Sequence, residues 1–311
     1  MEKPVLVILN PYSGRGQAGK VREQITTALR NAGVIFELAE TTAAGHAIAL
    51  ARQGRLDGYQ TVVAAGGDGT VSEVVNGLAQ ATAADGLVGK LAMMPAGSGN
   101  DFADMVGVAR DLTTAARTIA TGNTRLCDLG HARITQAGQV SERYFANSVG
   151  AGFEAQVTIE SNKIKRLRGV AIYVAAAVRA LMHYRTPQVQ LAWIDKAGQP
   201  QERNSPVLLV SVGNSPRSGG GFYLTPSAQL DDGLLDLGIA DAIARWRVLL
   251  LLPKALQGKH VADPAFALTQ VQSVQLSSRD ELPVHLDGEV ISRNADRVEL
   301  TLQPARLQVI V

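Results

Sequence analysis

The sequence predicts an α/β domain built on a parallel sheet, followed by a second domain of mostly antiparallel β-structure of the sandwich type. The chain has 311 residues, enough for two domains with separate cores. Apolar runs alternate with amphipathic helical patterns in the first part, and short β-rich runs separated by turn residues fill most of the rest. The pattern of apolar residues changes from the first type to the second near Arg125. We therefore expect a first domain over 1–125 and a second over 126–311, with the final strand 306–311 able to pack back on the first.

The first domain contains four predicted strands, each followed by a polar or Gly-rich loop: 5–9, 34–38, 61–65 and 91–94. Helices are predicted over 17–32 and 71–80, the second with Thr70 as its N-cap and Glu73 at the capping-box position. Ligands of a doubly wound sheet bind beyond the carboxyl ends of its strands. The loops that open at Asn10, Thr41, Gly66 and Pro95 are therefore expected to meet in one crevice.

The second domain begins with one long helical pattern over 154–182. Short runs of β-forming residues follow, separated by turn residues, over 189–194, 207–212, 234–240, 271–276, 284–286 and 298–302. Such a series of short strands favours antiparallel sheets.

The composition excludes several classes of protein. Thirty basic residues against 28 acidic ones give a net charge of +2, and hydrophobic residues make up 46%, which argues against disorder and against a nucleic-acid partner. The single cysteine, Cys127, excludes a disulfide framework and favours a cytoplasmic location. No apolar run reaches the roughly 20 residues of a spanning helix. Any membrane contact is therefore expected to be peripheral.

The first Gly-rich loop, over 10–20, partly fits two nucleotide motifs. Gly14, Gly16 and Gly19 match G-x-G-x-x-G, but 10–13 separate the strand from the first glycine, whereas a dinucleotide fold turns directly after the strand. Gly19-Lys20 resembles the end of a P-loop, but Val21 stands where a hydroxyl would hold Mg²⁺. A solvent loop that happens to contain three glycines remains an equal alternative.

The second loop, Gly66-Gly67-Asp68-Gly69-Thr70, joins a strand directly to a helix. Adjacent glycines allow positive φ and expose backbone N–H groups, and a helix N-terminus adds partial positive charge, so the loop suits a phosphate. Asp68 within such a cradle is expected to face Mg²⁺, directly or through water. The alternative is a Gly-rich turn in which the aspartate caps the helix.

The third loop, over 95–101, repeats this pattern after the next strand. Gly97 and Gly99 expose the backbone and Ser98 offers a hydroxyl, while Asn100 and Asp101 can cap the helix and orient a ligand. Two anion-binding loops at neighbouring strand ends indicate one extended phosphate ligand. A nucleoside triphosphate fits that description.

These loops, with Asn10-Pro-Tyr-Ser-Gly14 before them, resemble in order and spacing the bacterial diacylglycerol kinase catalytic-domain family. This family includes sphingosine and ceramide kinases and is more distantly related to NAD kinases. The second-domain segments 221–226, 231–236 and 285–289 are similar to motifs of the same family, so the resemblance covers nearly the whole chain. Gly97-Ser98 departs from the more usual Gly-Thr but keeps the hydroxyl.

The resemblance implies Mg²⁺-dependent transfer of phosphate from ATP, bound between the domains, to a lipid hydroxyl. Glu289 would be the general base and Asp287 its catalytic neighbour, although in the eukaryotic relatives the base role is sometimes given to the aspartate that matches Asp68. A magnesium ion would be held by Asp232 with the backbone carbonyls of Gln229 and Leu234. The ATP contacts would come from Asn10, Ser13, Gly14, Thr41, Gly66, Gly67, Asp68, Gly69, Thr70, Val71, Ser72, Gly97, Ser98, Asn100 and Asp101.

Other interpretations stay open at this point. By itself, Asp287-Gly288-Glu289 is typical of a two-residue hairpin turn that ends in an exposed acid. An NAD kinase-like enzyme shares the Gly-Gly-Asp-Gly loop, and an NAD(P)-dependent oxidoreductase would use the first loop. A lipid binder without catalysis is a third alternative.

The sequence does not identify the lipid, and a homodimer is compatible with it. A basic run over 163–168 could meet anionic lipid or form a solvated helix face, and Gly219-Gly220-Gly221 could border a lipid pocket or form a β-turn.

Overall fold

The computed structural model describes residues 4–14, 22–83, 86–164, 167, 169–218 and 221–311. Gly16, Gly19, Lys20 and Val21 of the first loop lie outside the described residues, as do three of the six residues of the basic run and two of the three glycines at 219–221. The chain divides into two compact units. The first contains Met1–Leu129 and Ala305–Val311, and the second contains Gly130–Pro304.

The first unit is a parallel sheet with helices between its strands. Its sheet order is β2-β1-β3-β4, and Gln308 and Val309 of the final strand add alongside β4 in parallel. This order is typical of doubly wound α/β folds. The elements are β1 (Val5–Leu9), α1 (Arg22–Asn31), β2 (Phe36–Glu40), α2 (His46–Leu56), β3 (Thr61–Gly66), α3 (Asp68–Gln80), β4 (Lys90–Pro95), α4 (Asp101–Val106) and α5 (Leu112–Thr121).

Strands of this sheet are buried because helices pack against it. Val7, Ile8 and Leu9 of β1 are fully buried, as expected for central parallel strands. Helix α2 packs against α3, and α1 packs against α5. At Gly77 of α3 an added Cβ would lie 2.3 Å from the carbonyl oxygen of Ile48, so the close contact between α2 and α3 requires a glycine.

Four local predictions for this unit are wrong. The second strand runs over Phe36–Glu40 rather than 34–38, and α3 begins at Asp68 rather than at 71. The N-cap of α3 is Gly67, so Thr70 lies inside the helix. Glu73 does not form a capping box either, because its carboxylate accepts the N–H groups of Gly45 and Ala47 at the start of α2, at 2.9 and 3.0 Å.

The second unit is an antiparallel β-structure. Its sheet order is β13-β12-β7-β9-β10-β11-β14, with β8 beside β9 and β11, and β6 beside β5. The elements are β5 (Thr124–Gln136), β6 (Gln139–Phe145), β7 (Ser148–Gly152), α6 (Phe153–Ser161), α7 (Val170–His183), β8 (Gln188–Asp195), β9 (Pro200–Gly213), β10 (Leu235–Asp241), α8 (Arg245–Ala255), a 3₁₀ turn (Lys259–Ala262), β11 (Phe266–Ser278), β12 (Val284–Leu286), β13 (Glu289–Ser292) and β14 (Arg297–Ile310).

The predicted fold class is confirmed: a parallel α/β unit precedes a mostly antiparallel β unit. The predicted helix over 154–182 is wrong in one respect, because the chain forms two helices there, α6 and α7. Helix α7 begins after Gly169, whose φ of 57° is a conformation favoured by glycine. Among the described residues, no helix has the length and hydropathy needed to span a membrane.

The hairpin between β5 and β6 generates a stability prediction. Its two turn residues, Ala137 and Gly138, both have positive φ (49° and 77°), which is the geometry of a type I′ turn. An alanine in the left-handed region costs about 1–2 kcal/mol. We expect Ala137→Gly to raise the free energy of unfolding by about 1 kcal/mol, as measured by denaturant titration.

The matched control is Ala197→Gly in the turn between β8 and β9. Ala197 is not among the residues with positive φ, so glycine adds only chain entropy there and is expected to lower stability. A loss of stability in both variants would contradict the turn assignment.

Candidate functional site

In the first unit, polar side chains from two strand ends meet at Thr70. The amide of Asn10, after β1, donates to the Thr70 hydroxyl at 3.1 Å, and the Ser13 hydroxyl lies 3.0 Å from the same oxygen. Gly66 ends β3 beneath this cluster, and an added Cβ there would lie 2.3 Å from the Thr70 oxygen. The structure thus brings together three of the predicted nucleotide-binding residues.

The second and third loops touch through their glycines. An added Cβ on Gly97 would lie 2.3 Å from the Cα of Gly67 and 2.8 Å from the Asn100 side-chain oxygen. Gly66, Gly67, Gly97 and Gly99 are not among the positive-φ glycines. The expectation of positive φ at Gly66 and Gly67 is therefore wrong. Gly67 and Gly97 are required by the close approach of two backbones, whereas an added Cβ on Gly66 or Gly99 would meet the side chains of Thr70 or Asp68.

Asp68 connects the second loop to the third. Its carboxylate accepts the backbone N–H of Asn100 at 2.8 Å and that of Phe102 at 3.1 Å. Charge-assisted hydrogen bonds of this kind are stronger than neutral ones. The carboxylate therefore fixes the third loop, and its contact with Mg²⁺ stays a prediction.

The third loop is closed by Asn100 itself. Asn100 has a φ of 63° and does not cap α4 through its side chain, contrary to the sequence expectation. Its side-chain amide instead accepts the Gly97 N–H and donates to the Gly97 carbonyl, both at 3.1 Å. Arg110, which sequence reasoning missed, adds a hydrogen bond from its guanidinium to the Gly99 carbonyl at 2.9 Å.

The remaining predicted nucleotide residues of this unit differ in exposure. Ser98 is exposed at the tip of the third loop, and Gly14 has positive φ. Thr41 follows β2 and is buried, and so are Val71, Ser72 and Asp101. The direct contacts of these residues with a nucleotide stay predictions.

The arrangement suits an extended phosphate ligand. Helix α3 begins without a side-chain cap, and such a helix N-terminus presents backbone N–H groups to an anion. Gly67 and Gly97 leave no room for a Cβ between them, and the hydroxyls of Ser13 and Thr70 lie beside the preceding Gly66. These residues therefore fit the phosphates of a nucleotide.

A pair of glycine variants tests the contact between the loops. Gly97→Ala places a methyl group against the Gly67 backbone, and overpacking of this kind costs about 1–3 kcal/mol. We expect Gly97→Ala to lower the melting temperature and to abolish ATP binding, measured by calorimetry.

Gly69→Ala is the matched control, because nothing lies within 4 Å of its added Cβ. It should leave the melting temperature unchanged or raise it slightly, because alanine lowers the entropy of the unfolded chain. A Gly97→Ala protein as stable as wild type would contradict the close approach of the two loops.

In the second unit, Asp287 and Gly288 form a two-residue turn between β12 and β13. Their φ angles are 47° and 82°, and Leu286 pairs with Glu289 across the hairpin. The Asp287 carboxylate accepts the backbone N–H groups of Ala146, Asn147 and Ser148, each at 2.9 Å. Burial raises the pKa of Asp287, and these three hydrogen bonds favour the ionised form and oppose that shift.

Sequence reasoning missed the segment that holds this turn. Asn147 and Ser148 lead into β7, and a second polar pair supports them. The Asn214 amide donates to the Ala146 carbonyl at 2.8 Å, and the Ser215 hydroxyl donates to the Asn147 side-chain oxygen at 3.0 Å. Polar residues at a strand end carry no readable signal by themselves. Glu289, the next residue after the turn, is exposed.

An apolar pocket lies within the second unit. It encloses about 870 Å³ of empty space, including its open mouth. Most of its lining is aliphatic or aromatic and comes from α6, α7, α8 and the adjoining strands. The main polar residues of the lining are Glu154, Thr158, Ser218, His260 and His285.

The predicted metal site lies in the loop before β10. The Asp232 carboxylate accepts the Leu234 N–H at 3.0 Å and the Gln270 amide at 3.2 Å. Burial raises the pKa of the nearby Asp236, and the negative charge of Asp232 adds to this shift. Among the described residues no group of three or more His, Cys, Asp or Glu side chains could hold a metal, so a cation here would depend on backbone carbonyls such as those of Gln229 and Leu234.

The fold and the loops together define a class of nucleotide-using kinases, and comparison with known proteins gives the family. Residues 4–132 match the diacylglycerol kinase catalytic domain. Residues 147–311 match the YegS C-terminal NAD kinase beta sandwich-like domain. The chain belongs to the diacylglycerol kinase and YegS-like lipid kinase family; it is a lipid kinase, and the family implies that it uses ATP and a lipid substrate.

Individual relatives agree with this assignment. A diacylglycerol kinase of Bacillus subtilis is 32% identical over 92% of this chain and 90% of the relative. A protein of Chromohalobacter salexigens named "Probable lipid kinase YegS-like" is 34% identical over 91% of this chain and 86% of its own length.

Solved structures show the same fold. The crystal structure of a diacylglycerol kinase from Bacillus anthracis has a TM-score of 0.70 at 23% identity, covering 99% of this chain and 96% of that one. Yeast NADH kinase has a TM-score of 0.52 at 9% identity, covering 99% of this chain and 84% of that chain.

Proposed function

We propose that this enzyme transfers the γ-phosphoryl group of ATP to the hydroxyl of a lipid whose acyl chain occupies the apolar pocket of the second unit. One observation supports this most directly. His285 lines the pocket, and its Nδ1 accepts the N–H of Gly288 at 3.3 Å. The turn that carries Glu289 is therefore hydrogen-bonded to a wall of the pocket. Diacylglycerol is the first lipid to test, since relatives carry its name.

In this proposal the residues of the first unit bind and orient the nucleotide. The N-terminus of α3 and the backbones of Gly67 and Gly97 take the phosphates, and the hydroxyls of Ser13 and Thr70 add hydrogen bonds. Asp68 keeps the third loop in position through its two backbone hydrogen bonds. Phosphoryl transfer depends mainly on such positioning and on neutralising charge.

Glu289 is proposed as the general base. It takes the proton of the lipid hydroxyl as the lipid oxygen bonds to the γ-phosphorus, while the bond to the β,γ-bridging oxygen breaks and ADP leaves. Asp287 and Gly288 hold Glu289 in place, because the turn is fixed by three backbone hydrogen bonds to the Asp287 carboxylate.

The same proposal includes magnesium at two places. Mg²⁺ prefers oxygen ligands, and Asp232 with the carbonyls of Gln229 and Leu234 offers only oxygen. A cation there would also offset the repulsion between Asp232 and Asp236. When bound to ATP, Mg²⁺ neutralises phosphate charge.

A glutamate-to-glutamine change tests the base. Glu289→Gln keeps the size of the side chain and removes its basicity, and a general base contributes about 10²–10⁴ in rate. We expect kcat to fall by about that factor with little change in the affinity for ATP. The measurement is transfer of labelled phosphate to lipids in mixed micelles, with diacylglycerol, phosphatidylglycerol, a sphingoid base and an undecaprenyl-type alcohol as acceptors.

Glu281→Gln is the control, since Glu281 is also an exposed acid of the second unit. It should leave kcat unchanged. Labelling of NAD with no labelling of any lipid would favour the NAD kinase alternative and would overturn the proposal.

We also propose that the enzyme works at the cytoplasmic membrane surface, through apolar side chains next to the pocket. On α7, Val170, Val174, Val178 and Met182 recur every four residues and are 38–63% exposed, so they lie on one face. On α8, Trp246, Leu249 and Leu250 are 42–63% exposed. Exposed apolar patches of this kind are typical of interaction surfaces.

The basic run over 163–168 contributes less to this proposal. Its first residue, Lys163, forms an ion pair with Glu160 at 2.5 Å. Three of its residues lie outside the described part of the chain. The apolar faces of α7 and α8 therefore carry the proposal of membrane contact.

Replacing two leucines tests this surface. Burial of one leucine contributes about 1.5–3 kcal/mol, so the double variant Leu249→Gln, Leu250→Gln should lower binding to phospholipid vesicles by more than about tenfold, as measured by co-sedimentation. Val140→Gln is the control, because Val140 is 48% exposed but lies on β6, away from the proposed surface of α7 and α8. Equal vesicle binding by wild type and the double variant would contradict the proposed surface.

A further inference from the structure

Glu154 is a buried acid at the polar end of the apolar pocket. It lies in the first turn of α6, is 9% exposed and lines the pocket. One of its oxygens, Oε1, has two donors: the Ser218 hydroxyl and His285 Nε2, the latter at 3.1 Å. The Ser148 hydroxyl in turn donates to Ser218 at 3.1 Å.

The neighbours of Glu154 are held in fixed orientations. The Gly288 N–H donates to His285 Nδ1, so the ring hydrogen is on Nε2 and points to Glu154. Gly150 leaves room for this contact, since an added Cβ would lie 2.3 Å from His285 Nε2 and 2.4 Å from the Glu154 carboxyl carbon. The hydrogen bonds of Glu154 Oε1 are therefore fixed by the surrounding protein.

The other oxygen, Oε2, is buried and has no hydrogen-bond partner among the described residues. A second acceptor in the same lining is in the same condition. His260 is 4% exposed and its Nε2 lies 3.3 Å from the Leu224 carbonyl, which leaves Nδ1 as an acceptor without a partner in the described chain. Burial lowers the pKa of His260, which favours this neutral ring.

Two buried acceptors without donors point to a ligand that supplies donors. Buried polar groups in proteins are almost always hydrogen-bonded. A buried acceptor that has no hydrogen bond lowers the stability of the folded protein. The hydroxyl that reacts at Glu289 is one donor. A diacylglycerol has no second donor, because its other two oxygens are esterified.

We propose that Glu154 is a specificity-determining residue whose Oε2 accepts a hydrogen bond from a second donor of the lipid, a hydroxyl or a protonated amine. This inference rests on the proposed function and names the substrate class: single-chain lipids with two donors, such as monoacylglycerols or sphingoid bases, are preferred over lipids with one. Ser218 and His285 are positioning residues, because they act through the Glu154 carboxylate.

A pair of lipids that differ by one hydroxyl tests the inference. 1-Monooleoylglycerol and 1-oleoyl-1,3-propanediol share the terminal hydroxyl and differ only at carbon 2. Sites built to bond a hydroxyl discriminate strongly against analogues that lack it. We expect kcat/KM and equilibrium binding without ATP to favour monooleoylglycerol by at least about tenfold. Sphingosine forms a separate arm, and a preference for it would identify the donor as an amine.

Glu154→Gln is the matching variant. The glutamine oxygen stays with the Ser218 and His285 donors, so its amide nitrogen faces the pocket and replaces an acceptor by a donor. The preference for monooleoylglycerol should fall several-fold, because the lipid hydroxyl loses its charge-assisted bond to the carboxylate and can only accept from the neutral amide. Glu160→Gln is the control on the same helix, because the Glu160 oxygens pair with Lys163 and Arg179; it should keep the wild-type preference.

The outcomes separate this inference from the proposed function. Equal binding of the two lipids by wild type, or a preference that is undiminished in Glu154→Gln, would overturn the inference and indicate that ordered water satisfies Oε2. Loss of phosphorylation of every lipid would overturn the proposed function, and the binding ratio would still test Glu154. The wild-type comparison requires no variant to fold.

Discussion

Each unit of this protein depends on one aspartate that accepts hydrogen bonds from backbone N–H groups of another segment. Asp68 holds the third loop through Asn100 and Phe102, and Asp287 holds the segment that begins at Ala146. A charged acceptor bonded to backbone donors fixes chain position without long side chains, so little side-chain entropy is lost. Gly67, beside Asp68, lets the backbones of the two loops approach closely, whereas Gly288, beside Asp287, supplies the positive φ of the turn.

The second unit combines an apolar pocket with a small, directional polar end. The apolar lining gives affinity for a hydrocarbon chain without selecting its chemistry, because hydrophobic burial has no direction. Hydrogen-bonding groups supply selectivity, and here the main polar groups that line the pocket are Glu154, Thr158, Ser218, His260 and His285. His285 also bonds the turn that precedes Glu289, so lipid recognition and the proposed base share one side chain.

Part of the fold and of the site is readable from sequence, because local patterns report local burial. Strands β1, β3 and β12 were predicted to within a residue or so, since continuous apolar runs mark buried strands. Strand β5 and strand β7 were missed. The run around Ser148–Gly152 is rich in small residues, and its strand state comes from pairing with β9 and β12. The break between α6 and α7 was also missed, because one apolar pattern continues through both helices.

The sequence by itself determined the order of the α/β and β units, the three loops at the strand ends and the resemblance to lipid kinases, because these depend on short motifs and on apolar period. Only the tertiary structure decided what the motif residues contact. Asp68 accepts hydrogen bonds from the backbone of the third loop. Thr70 is hydrogen-bonded to Asn10 and Ser13. Glu73 caps the N-terminus of α2 rather than that of its own helix. The cluster of Glu154, Ser218 and His285 joins residues up to 131 positions apart. No local pattern encodes such a meeting, since it arises only when separate strands and helices pack together.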